Sequence, residues 1–355
     1  MKFEPLKPHN LANLPPAFDY KTDAVWVALS NARAELAELK GYSSKLNNPM
    51  VLLFLILLEE AVESNRIEDI HTTVESALKS QIEKNSNRKG PEKERENYNE
   101  ALSWGMKHQK KYSLSTRLIL GIHKTLLKTS RGYRQQQNTI RNTRTGNIIY
   151  TPPVVPAINE LIQNWEKFVN HWDEDRNYSL IKCAIAHYQF EAIHPFIDGN
   201  GRTGRILLAL HLAQENFLEF PVLYTSAYLS QHQTEYYEVL KGVTEEGDWE
   251  QYVLFMLEAF RIQSVKTKEK LFQMETLYNS LVSELEVKHP KLNAQKVADH
   301  IFRWPYTTPT TYAKALTVHI QTGSAHLKEL SASGILEDRW EGKNHVFGYP
   351  PLINL

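Results

Sequence analysis

The sequence predicts a mainly helical protein, with one short β-hairpin projecting from the helical body and a small helix-turn-helix-hairpin block at the C-terminal end. Three observations predict it. Apolar residues recur at helical spacing through most of the chain. Between Arg131 and Pro156 glycine, proline and β-branched residues replace that rhythm. From about Asn293 the spacing changes again. At 355 residues the chain is too long for one ordinary core, so two or three domains are expected.

Residues 1–20, interrupted by Pro5, Pro8, Pro15 and Pro16, read as an extended arm. A helix is expected over Thr22 to Lys40, with Val25, Leu29, Leu36 and Leu39 on one stripe and Gly41 as its stop. Pro49 opens the next, Val51 to about Ile70, at the first-turn position where its missing N–H costs nothing. Its first half is apolar all round, the pattern of a buried bundle helix. Lys84 to Glu96, polar and containing Gly90-Pro91, reads as a solvated loop. Helical spacing resumes near Tyr98 and again over Ser115 to Leu127. Thr145-Gly146-Asn147 lies between Thr139-Ile140 and Ile148-Ile149-Tyr150, which predicts the hairpin. Helices follow over Ala157 to Trp172 and Ser179 to Ile193, the latter ended by His194-Pro195. Arg202 to Asn216, 230–242, 248–262 and a connector from Arg261 to Val287 complete the body.

Composition narrows the function classes. Hydrophobic content of 42% and charged content of 23% are globular values. The 41 basic and 41 acidic residues cancel, which argues against a protein that coats polyanions, although a neutral total can hide a basic face. Cys183 stands alone, excluding a disulfide framework within the chain and a cysteine-cluster metal site. Met1 to Pro5 lacks the apolar segment of a secretory signal. Met50 to Leu58 is the longest apolar run, far short of the roughly 20 residues that span a bilayer. The chain reads as a cytoplasmic protein without a membrane segment.

The densest cluster of chemistry-bearing residues is His194-Pro-Phe-Ile-Asp198-Gly199-Asn200-Gly201-Arg202-Thr203-Gly204-Arg205. Three glycines in six residues allow positive φ and inward-pointing N–H groups. The turn empties into a helix N-terminus, which attracts anions. Arg202 and Arg205 are three apart, hence on one face, and two guanidiniums beside bare amides suit more than one phosphate. Asp198 is a hard oxygen ligand suited to Mg²⁺ between phosphate oxygens. His194 can take a proton near neutral pH. Two blander readings compete. Gly199-x-Gly201-x-x-Gly204 fits a dinucleotide fingerprint, but that requires a preceding strand and the segment here is helical in period. Glu191-x-x-His194 has the spacing of a bundle iron-ligand pair, yet Glu286-x-x-His289 repeats it in a surface-like stretch.

The run resembles, at every fixed position, the Fic-family signature His-Pro-Phe-x-Asp/Glu-Gly-Asn-Gly-Arg-x-x-Arg. The resemblance implies an all-helical core with a β-hairpin flap, and transfer of AMP from ATP to a hydroxyl of a target protein, with pyrophosphate released. It implies His194 as general base and Asp198 as the Mg²⁺ ligand. It implies Gly199, Asn200, Gly201, Arg202, Thr203, Gly204 and Arg205 as the ATP cradle, with Asn200 and Gly201 lining the anion hole. Arg202 would then face the β-phosphate and Arg205 the γ-phosphate. Tyr236 and Tyr237 sit where the family places adenine-contacting aromatics. Phe196 reads as a packing anchor.

Ser64 and Glu68 lie four apart on one face of the second helix. From local physics they read as part of a solvated helix end, with Glu59, Glu60, Glu63 and Asp69. Family members with an inhibitory helix carry Ser/Thr-x-x-x-Glu-Gly/Asn, which this segment resembles except that Asp69 takes the last place. The implied mechanism is Glu68 pairing with Arg205, taking the guanidinium that the γ-phosphate needs.

The flap, 141–153, offers a hairpin edge to which an extended target segment can add. In the tail, Thr308-Pro309 reads as an N-cap with proline at the first helical position. Helices to Ala315 and Leu330 follow, then a hairpin with its tip at Glu341 to Asn344. That order resembles a winged helix. From 291 to 355 seven Lys/Arg face five Asp/Glu, a weak basic balance for a DNA reader. The expected division is an N-terminal region carrying the inhibitory helix (1–95), a catalytic core (96–262), a connecting helix (263–290) and the winged-helix-like domain (291–355). AMP removal by the same site and DNA binding by the tail stand as alternatives, and a homodimer is left open.

Overall fold

The computed structural model describes residues 3–46, 48–82, 90–141, 145–171, 178–218, 223–341 and 344–355. Thr22 caps α1 (Asp23–Ser43) by accepting the Val25 N–H, and the helix runs past Gly41. Pro49 is the first residue of α2 (Pro49–Ile67), which stops three residues earlier than the spacing suggests. There Glu68 is the C-cap and Asp69 turns to φ +59°. A short α3 (Val74–Ser80), not foreseen in the sequence, is capped by Thr73. α4 (Pro91–Tyr112) starts inside the segment expected to be loop, because Gly90 caps it and Pro91 pre-sets its first turn. The rest of that loop, 83–89, lies outside the described residues.

The flap is a minimal antiparallel pair, β1 (Ile140–Arg141) and β2 (Ile148–Tyr150), following α5 (Thr116–Leu127). Residues 142–144 of the expected flap are outside the described residues. A 3-10 turn leads into α6 (Ile158–His171). The arm packs across this region: His9 donates its N–H to the Thr151 carbonyl at 2.9 Å, and Phe3 stacks on Tyr150.

α7 (Ser179–Ile193) and α8 (Asn200–Gln214) form the centre. Every residue of α7 except Ser179 and Glu191 is buried, the polar Lys182, His187 and Gln189 among them. α9 (Ser226–Gln231) and α10 (Gln233–Glu246) pack on α11 (Trp249–Lys288), which with α4, α5 and α6 packs around α7 and α8. α11 is one unbroken helix, so the two expected either side of residue 262 are a single element. With no glycine or proline between them, nothing in the chain breaks it.

The C-terminal block runs α12 (Ala294–Arg303), β3 (Tyr306–Thr307), α13 (Pro309–Leu316), α14 (Ile320–Ala332), β4 (Glu337–Glu341), β5 (Asn344–Gly348) and α15 (Pro350–Ile353). Its strands are antiparallel in the order β3-β5-β4, and Thr308 caps α13 as expected. Of the expected hairpin tip, residues 342–343 lie outside the described residues. α12 packs on α2 and α11. Among the described residues no helix is long and apolar enough to cross a membrane.

Candidate active site

The cluster sits where α7 hands over to α8. His194 caps α7 in the left-handed region, φ +49°, a conformation that costs a non-glycine residue about 1–3 kcal/mol unless its surroundings fix it. They do: its N–H donates to the Phe190 carbonyl, and buried Arg134 donates Nε–H to its carbonyl at 3.0 Å. Arg134 also donates to Gln136 and Pro153, tying both roots of the flap to this corner. The half-buried imidazole faces the Glu191 carbonyl through Nδ1 at 3.4 Å. That contact favours the tautomer protonated at Nδ1 and leaves Nε2 as acceptor. Burial lowers its pKa to about 4, so the ring is neutral at pH 7.

Phe196 anchors the turn, fully buried and stacked on His123 with ring centroids 3.6 Å apart. Asn200 clamps it: Oδ1 accepts the Phe196 N–H at 2.8 Å and Nδ2 donates to the Phe196 carbonyl at 3.0 Å. Its side chain is therefore spent on the loop, leaving its backbone as what it can offer an anion. Gly199, at φ +77°, is the cap from which α8 starts. Thr203 is wholly buried, its hydroxyl without a hydrogen-bond partner among the described residues.

Two glycines let carboxyl groups touch the backbone of α8. A β-carbon on Gly201 would lie 2.2 Å from Glu68 Oε1, and one on Gly204 would lie 2.0 Å from Glu191 Oε1. Arg205, on the next turn, is the hub. Nε donates to Ser64 Oγ at 2.8 Å, and Nη2 donates to the Ser64 carbonyl at 2.8 Å and to Glu68 Oε1 at 2.9 Å. Burial opposes its charge, but the Glu68 carboxylate, the largest of the opposing influences, holds its pKa above the ordinary value. Glu191 is raised to about 8 by burial, so it is largely a neutral acid at pH 7. Glu60, expected at a solvated helix end, is instead buried. It accepts from the Tyr98 hydroxyl at 2.9 Å and from Ser226, which seats α2 against α4 and α9.

Arg202 departs from its expected place. Its side chain is 4% exposed, with Nη1 on Glu94 Oε2 of α4 at 2.6 Å and Nη2 on Asp198 Oδ1 at 3.4 Å. Asp198 is exposed and also accepts the Gly199 N–H at 2.6 Å. The two tyrosines separate. Tyr236 is a core residue, its hydroxyl 2.8 Å from His187 Nε2, so it presents no free face to an adenine. Tyr237 is 47% exposed beside the end of α2, its hydroxyl 3.4 Å from the Ile67 carbonyl. The structure thus gathers His194, the 198–205 turn, Ser64 and Glu68, with Tyr237 at their edge. Glu94 was not singled out from sequence, Glu191 only as half of a spacing that a surface-like stretch repeats, and Arg134 only within Gly132-Tyr133-Arg134, which resembles the family's entry to the flap. The arginines and glycines that flank them were the available signal, since each buried cation needs a carboxylate or carbonyl within reach.

Among the described residues no group of three or more His, Cys, Asp or Glu side chains could hold a metal ion by itself. The donor set still fits magnesium, which commonly takes one or two carboxylates and completes its shell with phosphate oxygens and water. Asp198, exposed at the start of the turn, is the carboxylate that could fill that place.

Three family profiles cover the chain in succession: Fic/DOC family N-terminal at residues 26–107, Fic/DOC family at 113–212, and the C-terminal domain of protein adenylyltransferase SoFic-like at 277–352. The chain belongs to the Fic/DOC family. A Drosophila ananassae protein adenylyltransferase Fic is 34% identical over 107 residues, 30% of this chain and 20% of that protein. The Drosophila melanogaster protein of that name is 33% identical over the same length. The match thus spans about a fifth of those relatives. A Fic family protein from Desulfovibrio desulfuricans superposes with TM-score 0.55 at 19% identity, over 90% of this chain and 95% of that one. A fragment of Fic-1 from C. elegans gives 0.51 at 20% identity, over 69% and 73%. These two likenesses bear on fold: the helical Fic architecture with small β-hairpins.

Proposed function

We propose that this chain is a protein adenylyltransferase held in an inhibited state by its own second helix. It transfers AMP from ATP to a hydroxyl side chain of a target protein. The observation that carries the reading is Arg205: a buried guanidinium beside the amide-rich start of α8, engaged by Ser64 and Glu68 next to a neutral imidazole. The names of the Drosophila relatives support the activity.

In this reading the ATP triphosphate lies along the 199–204 turn, held by backbone N–H groups and the positive end of α8. Arg205, once Glu68 withdraws, binds the γ-phosphate. The target hydroxyl oxygen attacks the α-phosphorus, the bond to the bridging oxygen of pyrophosphate breaks, and the hydroxyl proton passes to His194 Nε2. A general base of this kind contributes about 10²–10⁴ in rate. Magnesium on Asp198, when bound, neutralises phosphate charge. Asn200 and Phe196 keep the turn rigid, so positioning is set before ATP arrives. The target segment adds to the flap, whose roots Arg134 ties to His194. The element order and sheet of the tail support a winged-helix domain, and its near-balanced charge favours a protein contact over DNA.

ATP labelled at the α- or the γ-phosphate, incubated with Mg²⁺ and the Glu68→Gly variant, tests the reading. Protein-bound label from the α position only, lost on adding His194→Ala, is expected. Label from the γ position would mean a kinase and overturn it.

A further inference from the structure

We propose that Glu94 is a positioning residue for the metal-binding carboxylate Asp198, acting through Arg202. The proposal rests on the magnesium site of the adenylyltransferase reading and adds to it a residue from a different helix.

Three contacts carry it. Glu94 lies in the first turn of α4, and its Oε2 receives Arg202 Nη1 at 2.6 Å. The other terminal nitrogen of the same guanidinium, Nη2, pairs with Asp198 Oδ1 at 3.4 Å. The guanidinium is planar and rigid, so fixing one nitrogen fixes the other. Arg202 is 4% exposed whereas Asp198 is 69% exposed. The buried cation is therefore the fixed member, and the loop carboxylate is what it steadies. Without Arg202, the remaining hydrogen bond described for the Asp198 carboxylate comes from its own neighbour, the Gly199 N–H. Both donors fall on Oδ1, which leaves Oδ2 as the oxygen to offer a cation. Arg202 is also poorly placed to reach phosphate: both terminal nitrogens are engaged, and Nε is buried with no hydrogen-bond partner among the described residues. Its work is orientation, and Glu94 sets it. Partners of this kind behind a metal ligand typically change metal affinity about 10–100-fold.

The test uses the full chain in the Glu68→Gly background, with α,β-methylene-ATP as probe so that no transfer occurs. Calorimetric affinity is measured over a Mg²⁺ series and without metal. Glu94→Gln is expected to raise the Mg²⁺ concentration for half-maximal affinity about tenfold or more, leaving metal-free affinity unchanged. Glu94→Asp should recover part of the shift. Arg202→Lys keeps the charge but cannot bridge, and should reproduce the shift even if Glu94→Gln does not fold. An unchanged Mg²⁺ requirement overturns the proposal. So does an equal loss with and without metal, which would mean a merely structural pair. Failure of the Glu68→Gly protein itself to bind the nucleotide would instead overturn the adenylyltransferase reading.

Discussion

The side chain of Glu68 occupies the space that a β-carbon on Gly201 would need, with Oε1 2.2 Å from that point. A carboxylate from one helix thus rests on the bare backbone of another, where an anion would be drawn by the N–H groups of α8.

The first prediction follows from that contact. Gly201→Ala meets the movable end of Glu68, and alanine is the better helix former by about 1 kcal/mol, so the variant should fold. The new methyl nevertheless stands in the cradle, 2.9 Å from Arg205 Nη1. Calorimetry in the Glu68→Gly background should show weaker ATP binding on adding Gly201→Ala. Unchanged affinity would place the phosphates elsewhere.

Gly204 behaves differently, because its β-carbon would meet Glu191 at 2.0 Å and Phe190 at 3.1 Å in a packed interior. Gly204→Ala should destabilise by about 1–3 kcal/mol through overpacking. Denaturant unfolding checks the value. Adding Glu191→Ala should recover most of the loss, and a strictly additive pair would show that the two do not touch.

Ser64 and Glu68 hold the same guanidinium at different stability costs. Ser64 is wholly buried, and Ser64→Ala leaves Arg205 Nε without its acceptor, a loss of about 1–3 kcal/mol. The Glu68 side chain is 36% exposed, so solvent screens its pair, and Glu68→Gln should cost about 0–1 kcal/mol. Thermal melts should therefore rank Ser64→Ala below Glu68→Gln. The reverse order would mean that the Glu68 carboxylate also holds the fold together.

The pH dependence follows from His194. Its folded pKa is about 4, below the ordinary histidine value, because burial disfavours the imidazolium. The unfolded state therefore binds more protons between about 6.5 and 4, and this contribution to stability is lost as pH falls through that window. Glu68 raises the value slightly, so removing Glu68 lowers it further. In Glu68→Gly the acid limb of kcat/KM should fall near or below pH 4 rather than near 6.5. A limb near 6.5 would mean a solvated imidazole.

Much of this was legible in the chain. Thr22, Pro49 and Thr308-Pro309 marked the starts of α1, α2 and α13, and the twelve-residue run from His194 located the turn, its imidazole and both arginines. What was not legible is long-range pairing. Nothing near Arg202 in sequence points to Glu94, 108 residues away. Glu60 and Glu63 look alike in sequence, yet Tyr98 and Ser226 draw Glu60 into the interior. Tyr236 and Tyr237 are neighbours whose fates split because α10 turns one toward His187 and the other outward. α4 began early because Gly90-Pro91, read as a loop marker, is equally a helix start.

The rate at which α-labelled ATP marks protein, compared between the natural chain and Glu68→Gly, tests most directly whether Glu68 withholds Arg205 from the nucleotide. At least a tenfold rise is expected, about 1.4 kcal/mol in the barrier. An equal or slower rate in Glu68→Gly would contradict the account.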